Sequence, residues 1–136
     1  MIRNVFAVVG GLVVGGVVNM GLIQLNTRVF YPMPAGLDMN DTDQFNAYLA
    51  TLPTLAFIVV IIAHLGQAFV GGWVAAVFGE SRHMLLAIIV GALSLAGGIM
   101  AMMMFKGPDW MIIELPLYLL VAWFAGRLAQ MRRMQT

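Results

Sequence analysis

Five polar side chains stand inside stretches that are otherwise apolar: Asn19, His64, Gln67, Ser94 and Glu114. An ionisable group within a membrane is a functional candidate by default, because hydrocarbon penalises it. A histidine at such depth can shuttle a proton, bind a metal or hydrogen-bond a substrate. His64 and Gln67 are three positions apart and share a helix face, which Gln67, Gly71 and Ala75 continue at four-residue steps. At the α-helical rise, His64 and Gln67 are expected about 18–23 Å from the loop end of their span, near mid-membrane, with Ser94 at a similar level. Asn19 is expected in the loop-side half of its span, and Glu114 about one turn below the surface. On these depths His64 has no second ionisable group at its own level. It is then expected to be a neutral imidazole bonded to Ser94, Gln67 or a backbone carbonyl. Glu114 is expected to reach water or headgroups, or to pair with Asn19 or Lys106.

Other chemistries are poorly served. The chain has no cysteine, which excludes disulfides, thiolate metal sites and cysteine nucleophiles. It has twelve methionines, and thioethers select Cu(I). Met100 and Met104 are therefore weak candidates for a metal pair. Their spacing resembles the membrane methionine pair of the Ctr-type copper transporters, which are built on three spans and carry methionine-rich extracellular segments. Here the long loop has only Met33 and Met39, and methionine is also a good gap-filler between helices. Asp38-x-Asn40-x-Thr42 begins like a calcium loop, but Asp43 stands where glycine is needed and Leu49 where glutamate is needed. No phosphate loop, G-x-S-x-G or H-E-x-x-H is present. The expectation is a non-enzymatic protein with no cofactor, no catalytic residue and no nucleic-acid partner.

The elements that must position the polar residues are four apolar runs, at about 5–25, 51–78, 84–105 and 110–129. The chain is 62% hydrophobic and 10% charged, with a mean hydropathy of +0.94. A soluble domain of this length cannot hide so much apolar surface, so lipid must be part of its solvent. Barrel strands would alternate apolar and polar residues, and these runs do not, which leaves helices. The expected fold is an all-α, four-helix transmembrane bundle forming one domain over 1–136, with a loop at 26–50.

Charge sets the expected orientation. Arg3, Arg82, Arg127, Arg132 and Arg133 fall on one side of a four-span chain. Arg28 and Lys106 face Asp38, Asp41, Asp43 and Asp109 on the other. The positive-inside rule then places both termini in the cytoplasm. The first run has no A-x-A site before the loop, so it reads as a retained span. In the outer loop, Pro32, Pro34 and Gly36 favour a turn. Asp41 and Gln44 look like a capping box for a short helix bearing Phe45, Tyr48, Leu49 and Leu52 on one face, which is expected to lie at the interface and run into the second span. Tyr31 and Trp110 toward the outer boundary, with Trp73 and Trp123 toward the inner one, suit interfacial belts. Pro116 is expected to kink the fourth span by removing a bond to the carbonyl of Ile112.

Small residues recur four apart: Gly11 and Gly15 in the first span, Gly71 and Gly72 within two Gly/Ala rows of the second, Gly91 and Gly98 in the third. Such rows let helix backbones approach closely. They can serve packing within this bundle, or face outward and build an oligomer. With no catalytic set in view, the leading expectation is an oligomeric scaffold or an accessory subunit of a larger membrane complex. The alternative is a small channel or transporter with a polar pathway around His64, followed by a Cu(I)-binding protein. An intramembrane enzyme using His64 comes last.

Five short segments, Gly15-Gly16-Val17-Val18-Asn19-Met20-Gly21, Ala63-His64-Leu65-Gly66, Gly97-Gly98-Ile99, Pro108-Asp109-Trp110 and Trp123-Phe124-Ala125-Gly126, resemble a group of small, uncharacterised four-span bacterial integral membrane proteins. The resemblance covers most of the chain. It implies the four-span fold and a bacterial cytoplasmic membrane, and it brings no activity with it. If A-H-x-G is a signature of that group, His64 and Gly66 matter at least to packing.

Overall fold

A computed structural model describes residues 1–134, apart from the Arg133 side chain, which ends the expected basic cluster and lies outside the described residues. The described residues are helical, with no strand. Helices α1 (Ile2–Leu25), α3 (Thr54–Phe78), α4 (His83–Met104) and α5 (Glu114–Arg133) are the long apolar ones, and α2 (Thr42–Leu49) is short. Four segments are long and apolar enough to cross a membrane. The protein is a membrane protein on that ground, because hydrophobic side chains such as Phe6, Val17, Ile62, Leu120 and Phe124 cover its exterior.

Helix α3 is central: α1, α4 and α5 all pack on it, and α4 and α5 also pack on each other. The close contacts come from small residues. Ala63, Ala68, Ala75, Ala76, Ala87, Ala122, Ala125 and Ala129 are fully buried. Gly11 and Gly71 face one another, and a Cβ on Gly71 would stand 2.6 Å from the Gly11 carbonyl oxygen. Gly15 faces the Gln67 backbone, Gly72 faces Ala87, Gly91 faces Ala122, and Gly98 lies under the Tyr118 phenol ring. All six of these glycines thus meet other helices of their own chain.

The start of α1 and the end of α5 lie at one end of the bundle with the tight α3–α4 turn. Asn4 Oδ1 accepts from the backbone N–H groups of Glu80 and Ser81, at 2.8 and 3.3 Å, and the Met1 amine reaches Glu80 at 3.3 Å. In the same turn Arg82 adopts a left-handed conformation, with φ of 53°. His83 Nδ1 lies 2.8 Å from the Ala76 carbonyl, and because a carbonyl only accepts, Nδ1 carries the proton. Here too the Arg127 and Arg132 guanidinium groups lie 5.8 Å from the Trp123 and Trp73 rings.

The opposite end differs from expectation in three ways. Helix α1 does not stop at Leu25 but continues through a π-helical turn, Asn26–Phe30, closed by Tyr31 N–H donating to the Asn26 carbonyl at 2.8 Å. The short helix α2 is separated from α3, which begins at Thr54 after extended Pro53. It is capped by Asp41, whose Oδ1 accepts from the N–H groups of Asp43 and Gln44, both at 3.1 Å. Gln44 donates to the same carboxylate at 2.9 Å instead of reaching back to the backbone. Helix α2 lies over the loop after α4: Phe45 meets the edge of Phe105 at 5.2 Å, and Asn46 Oδ1 accepts from Lys106 N–H at 2.8 Å. Finally, Pro116 does not kink a helix interior. A 3₁₀ segment, Asp109–Ile113, precedes α5, so Pro116 falls in the first turn of α5, where its missing N–H breaks no bond.

The glycine contacts give a test. Gly71→Ala is expected to lower stability in detergent by about 1–3 kcal/mol through overpacking against Gly11. Gly97 has nothing within 4 Å, so Gly97→Ala is expected to raise stability by about 0.5–1 kcal/mol through helix propensity. Thermal unfolding of both variants checks this, and equal effects would contradict the packing.

Candidate functional site

His64 and Glu114 meet. His64 Nδ1 lies 3.2 Å from each carboxylate oxygen of Glu114. Glu114 has no solvent exposure, while 18% of the His64 side chain is exposed. Two expectations are overturned: His64 does have an ionisable partner at its level, and Glu114 is neither solvated nor paired with Asn19 or Lys106. Two changes at the loop end explain this. Helix α3 starts at Thr54, so His64 stands only about 15 Å along it. The 3₁₀ rise is about 2.0 Å per residue, so Asp109–Ile113 carries Glu114 about 10 Å inward before α5 begins.

Tyr118, one turn beyond Glu114 on the same face of α5, is 2% exposed. Its ring is stacked on that of His64, with centroids 6.4 Å apart and planes at 25°. Its phenol lies against Gly98, where any larger residue would collide. One turn along α3 from His64, Gln67 Nε2 donates to buried Ser94 Oγ at 3.4 Å. Asn19, on α1, has a buried Oδ1 without a partner among the described residues. No hydrogen bond joins Asn19, Gln67 or Ser94 to the pair among the described residues, whereas Glu114 is the partner itself.

Above the pair is a cavity of about 470 Å³. His64, Glu114 and Gly98 form its floor, and α2 forms part of its roof through Phe45, Tyr48 and Leu49. Exposed Met39, Gly107 and Asp109 are at its rim, so it opens toward the loop end. Tyr48 is held in place by donating to the Tyr31 carbonyl at 3.0 Å. Burial raises its pKa from the ordinary value of 10.0, so the phenol stays a donor at neutral pH.

Asn26 lines the same cavity and is 2% exposed. Its Nδ2 donates to the Ala56 carbonyl at 3.0 Å, and its Oδ1 has no partner among the described residues. Sequence reading missed Asn26 by placing it in a loop, and missed Tyr118 by treating it as span filling. The i, i+4 relation to Glu114 was the one available signal for Tyr118. Nothing in the sequence marks Asn26, whose burial depends on the π turn.

Met100 and Met104 are 64% and 55% exposed on α4, while Met102 lines the cavity. Among the described residues no three His, Asp or Glu side chains converge as a metal site. Comparison with family models, with curated proteins and with solved structures finds no match to this chain.

The pair has a clear energetic signature. His64→Ala would leave Glu114 buried without a partner and is expected to cost about 3–5 kcal/mol. Replacing both, as His64→Leu with Glu114→Met, is expected to restore most of that stability. Unfolding of the single and double variants in detergent checks the coupling; additive losses would contradict it.

Proposed function

We propose that the protein is a membrane-embedded binding protein for a small lipophilic molecule, which enters the loop-end cavity and rests on the His64–Glu114 pair. One observation carries this reading: the cavity ends on a fully buried carboxylate paired with an imidazole. Burying two ionisable groups where apolar side chains would pack as well costs stability, and function is the usual reason to retain them. A concave, mainly apolar site with a few convergent polar groups is also the common form of a ligand pocket.

Binding is favoured over an open pore. Toward the terminal end the helices close on Ala75, Val90, Ala87 and Ala122. A carrier would need the helices to move around His64. The scaffold reading loses its main motive, because the six close-packing glycines are occupied within one chain. An association with other copies or a larger complex would have to use the lipid-facing side chains.

The same reading places the protein in a bacterial cytoplasmic membrane with both termini in the cytoplasm. The support is Arg3, Arg82, Arg127 and Arg132 at the terminal end against Asp38, Asp41, Asp43 and Asp109 at the other. The cavity then faces outward beneath α2, which lies at the membrane surface.

Two measurements test this. Calorimetry with 4-phenyl-1-butanol, a neutral probe, is expected to give saturable binding that Ala101→Trp weakens about tenfold or more by filling the cavity. Unsaturable uptake, identical in the variant, would remove the reading. For orientation, the natural absence of cysteine allows single-cysteine labelling. Ala35→Cys is expected to react with an impermeant maleimide in intact cells and Met134→Cys only after lysis; the reverse pattern would invert the topology.

A further inference from the structure

We propose that the ligand is an ammonium compound: a protonated amine on a lipophilic body. This rests on the cavity being a binding site and specifies what it takes. Four titratable residues line the cavity: Tyr48, His64, Asp109 and Glu114. None of the lining residues is Lys or Arg, and the two basic residues of this end, Arg28 and Lys106, are exposed and outside the lining. Two carboxyl groups, Asp109 and Glu114, thus face one imidazole, with no guanidinium or lysine amine among the lining residues. That balance favours a cationic guest over an anionic one.

The hydrogen-bonding inventory points the same way. Asn26 Oδ1 is a buried acceptor without a partner among the described residues, and a buried acceptor left unpaired is costly. A carboxylate accepts only. Asn26 Oδ1 and the Glu114 and Asp109 carboxyl groups therefore make the lining rich in acceptors, of which Asp109 is exposed and the other two are buried in the wall. Its apolar walls add Phe45, Phe57 and Phe105, whose ring faces attract cations as well as covering a hydrocarbon body. An ammonium head supplies a hydrogen-bond donor and a positive charge together. An alcohol supplies only the donor, and a carboxylate supplies neither.

The test compares 4-phenylbutylamine, 4-phenyl-1-butanol and 4-phenylbutyrate, which share one skeleton, by calorimetry at neutral pH. The protein is held in dodecyl maltoside micelles, which carry neither charge nor ammonium, with empty micelles as blank. The amine is expected to bind the wild type about tenfold tighter than the alcohol, the effect of one charge-assisted hydrogen bond. The carboxylate is expected to bind weakest. Glu114→Gln should bring the amine down to the affinity of the alcohol. Asp109→Asn, on the exposed rim, should lower amine affinity about twofold to threefold and leave the alcohol unchanged.

Equal amine and alcohol affinities in the wild type, or a carboxylate that binds tightest, would overturn the ammonium assignment while leaving the cavity reading intact. No saturable binding by any of the three would instead remove the cavity reading itself. Short-chain phosphatidylethanolamine, set against phosphatidylglycerol, separates the two sources of the ammonium group. Competition by the former alone assigns a lipid headgroup, and no competition by either assigns a free amine.

Discussion

An imidazole and a carboxylate in contact inside a bundle bind two helices more strictly than apolar packing can. Leu or Met can slide against a neighbour with little loss, but Glu114 is fully buried and loses its paired imidazole if His64 moves away. The pair therefore fixes where α5 begins relative to α3. That position in turn requires the chain to descend from α4 through the 3₁₀ segment Asp109–Ile113, and it leaves space above the pair. The cavity is a consequence of placing an ionisable pair below the loop end without filling the volume above it.

The two halves of the bundle divide the work. The half nearer the termini is made of Ala and Gly contacts and of the Asn4, Arg3 and Glu80 bonds that tie α1 to the α3–α4 turn. It is closed and gives α3 its fixed position. The other half holds the cavity, and there the π turn keeps Asn26 against Ala56. Helix α2 covers this half through the Tyr48, Phe45 and Asn46 contacts instead of extending α3. A rigid half supporting an open half suits a site whose polar groups must stay in place while a guest enters.

The long helices were legible because hydropathy and helical rise are properties of single segments. The capping of α2 by Asp41 was legible for the same reason, since Asp41 and Gln44 lie within one turn. The site was only half legible. His64 and Glu114 could be picked out singly, because each is an ionisable residue within an apolar run. Their meeting could not, because it depends on five residues taking a 3₁₀ rise and on Pro53 delaying α3 until Thr54. Pro116 misled for a related reason: its effect depends on whether the helix starts before or after it. Asn26 was invisible, since an asparagine after an apolar run reads as a loop start unless the π turn carries the helix past it.

Nitrogen NMR of the imidazoles tests the central claim most directly, because the chain has two histidines and one is an internal control. His83 donates from Nδ1 to the Ala76 carbonyl, far from the cavity, and His64 faces Glu114 at its floor. Titrating 4-phenylbutylamine into the labelled protein should shift the His64 ring nitrogens saturably and leave those of His83 in place. If neither histidine responds at concentrations where the probe binds, or if both respond alike, the ligand does not rest on the His64–Glu114 pair and the account is wrong.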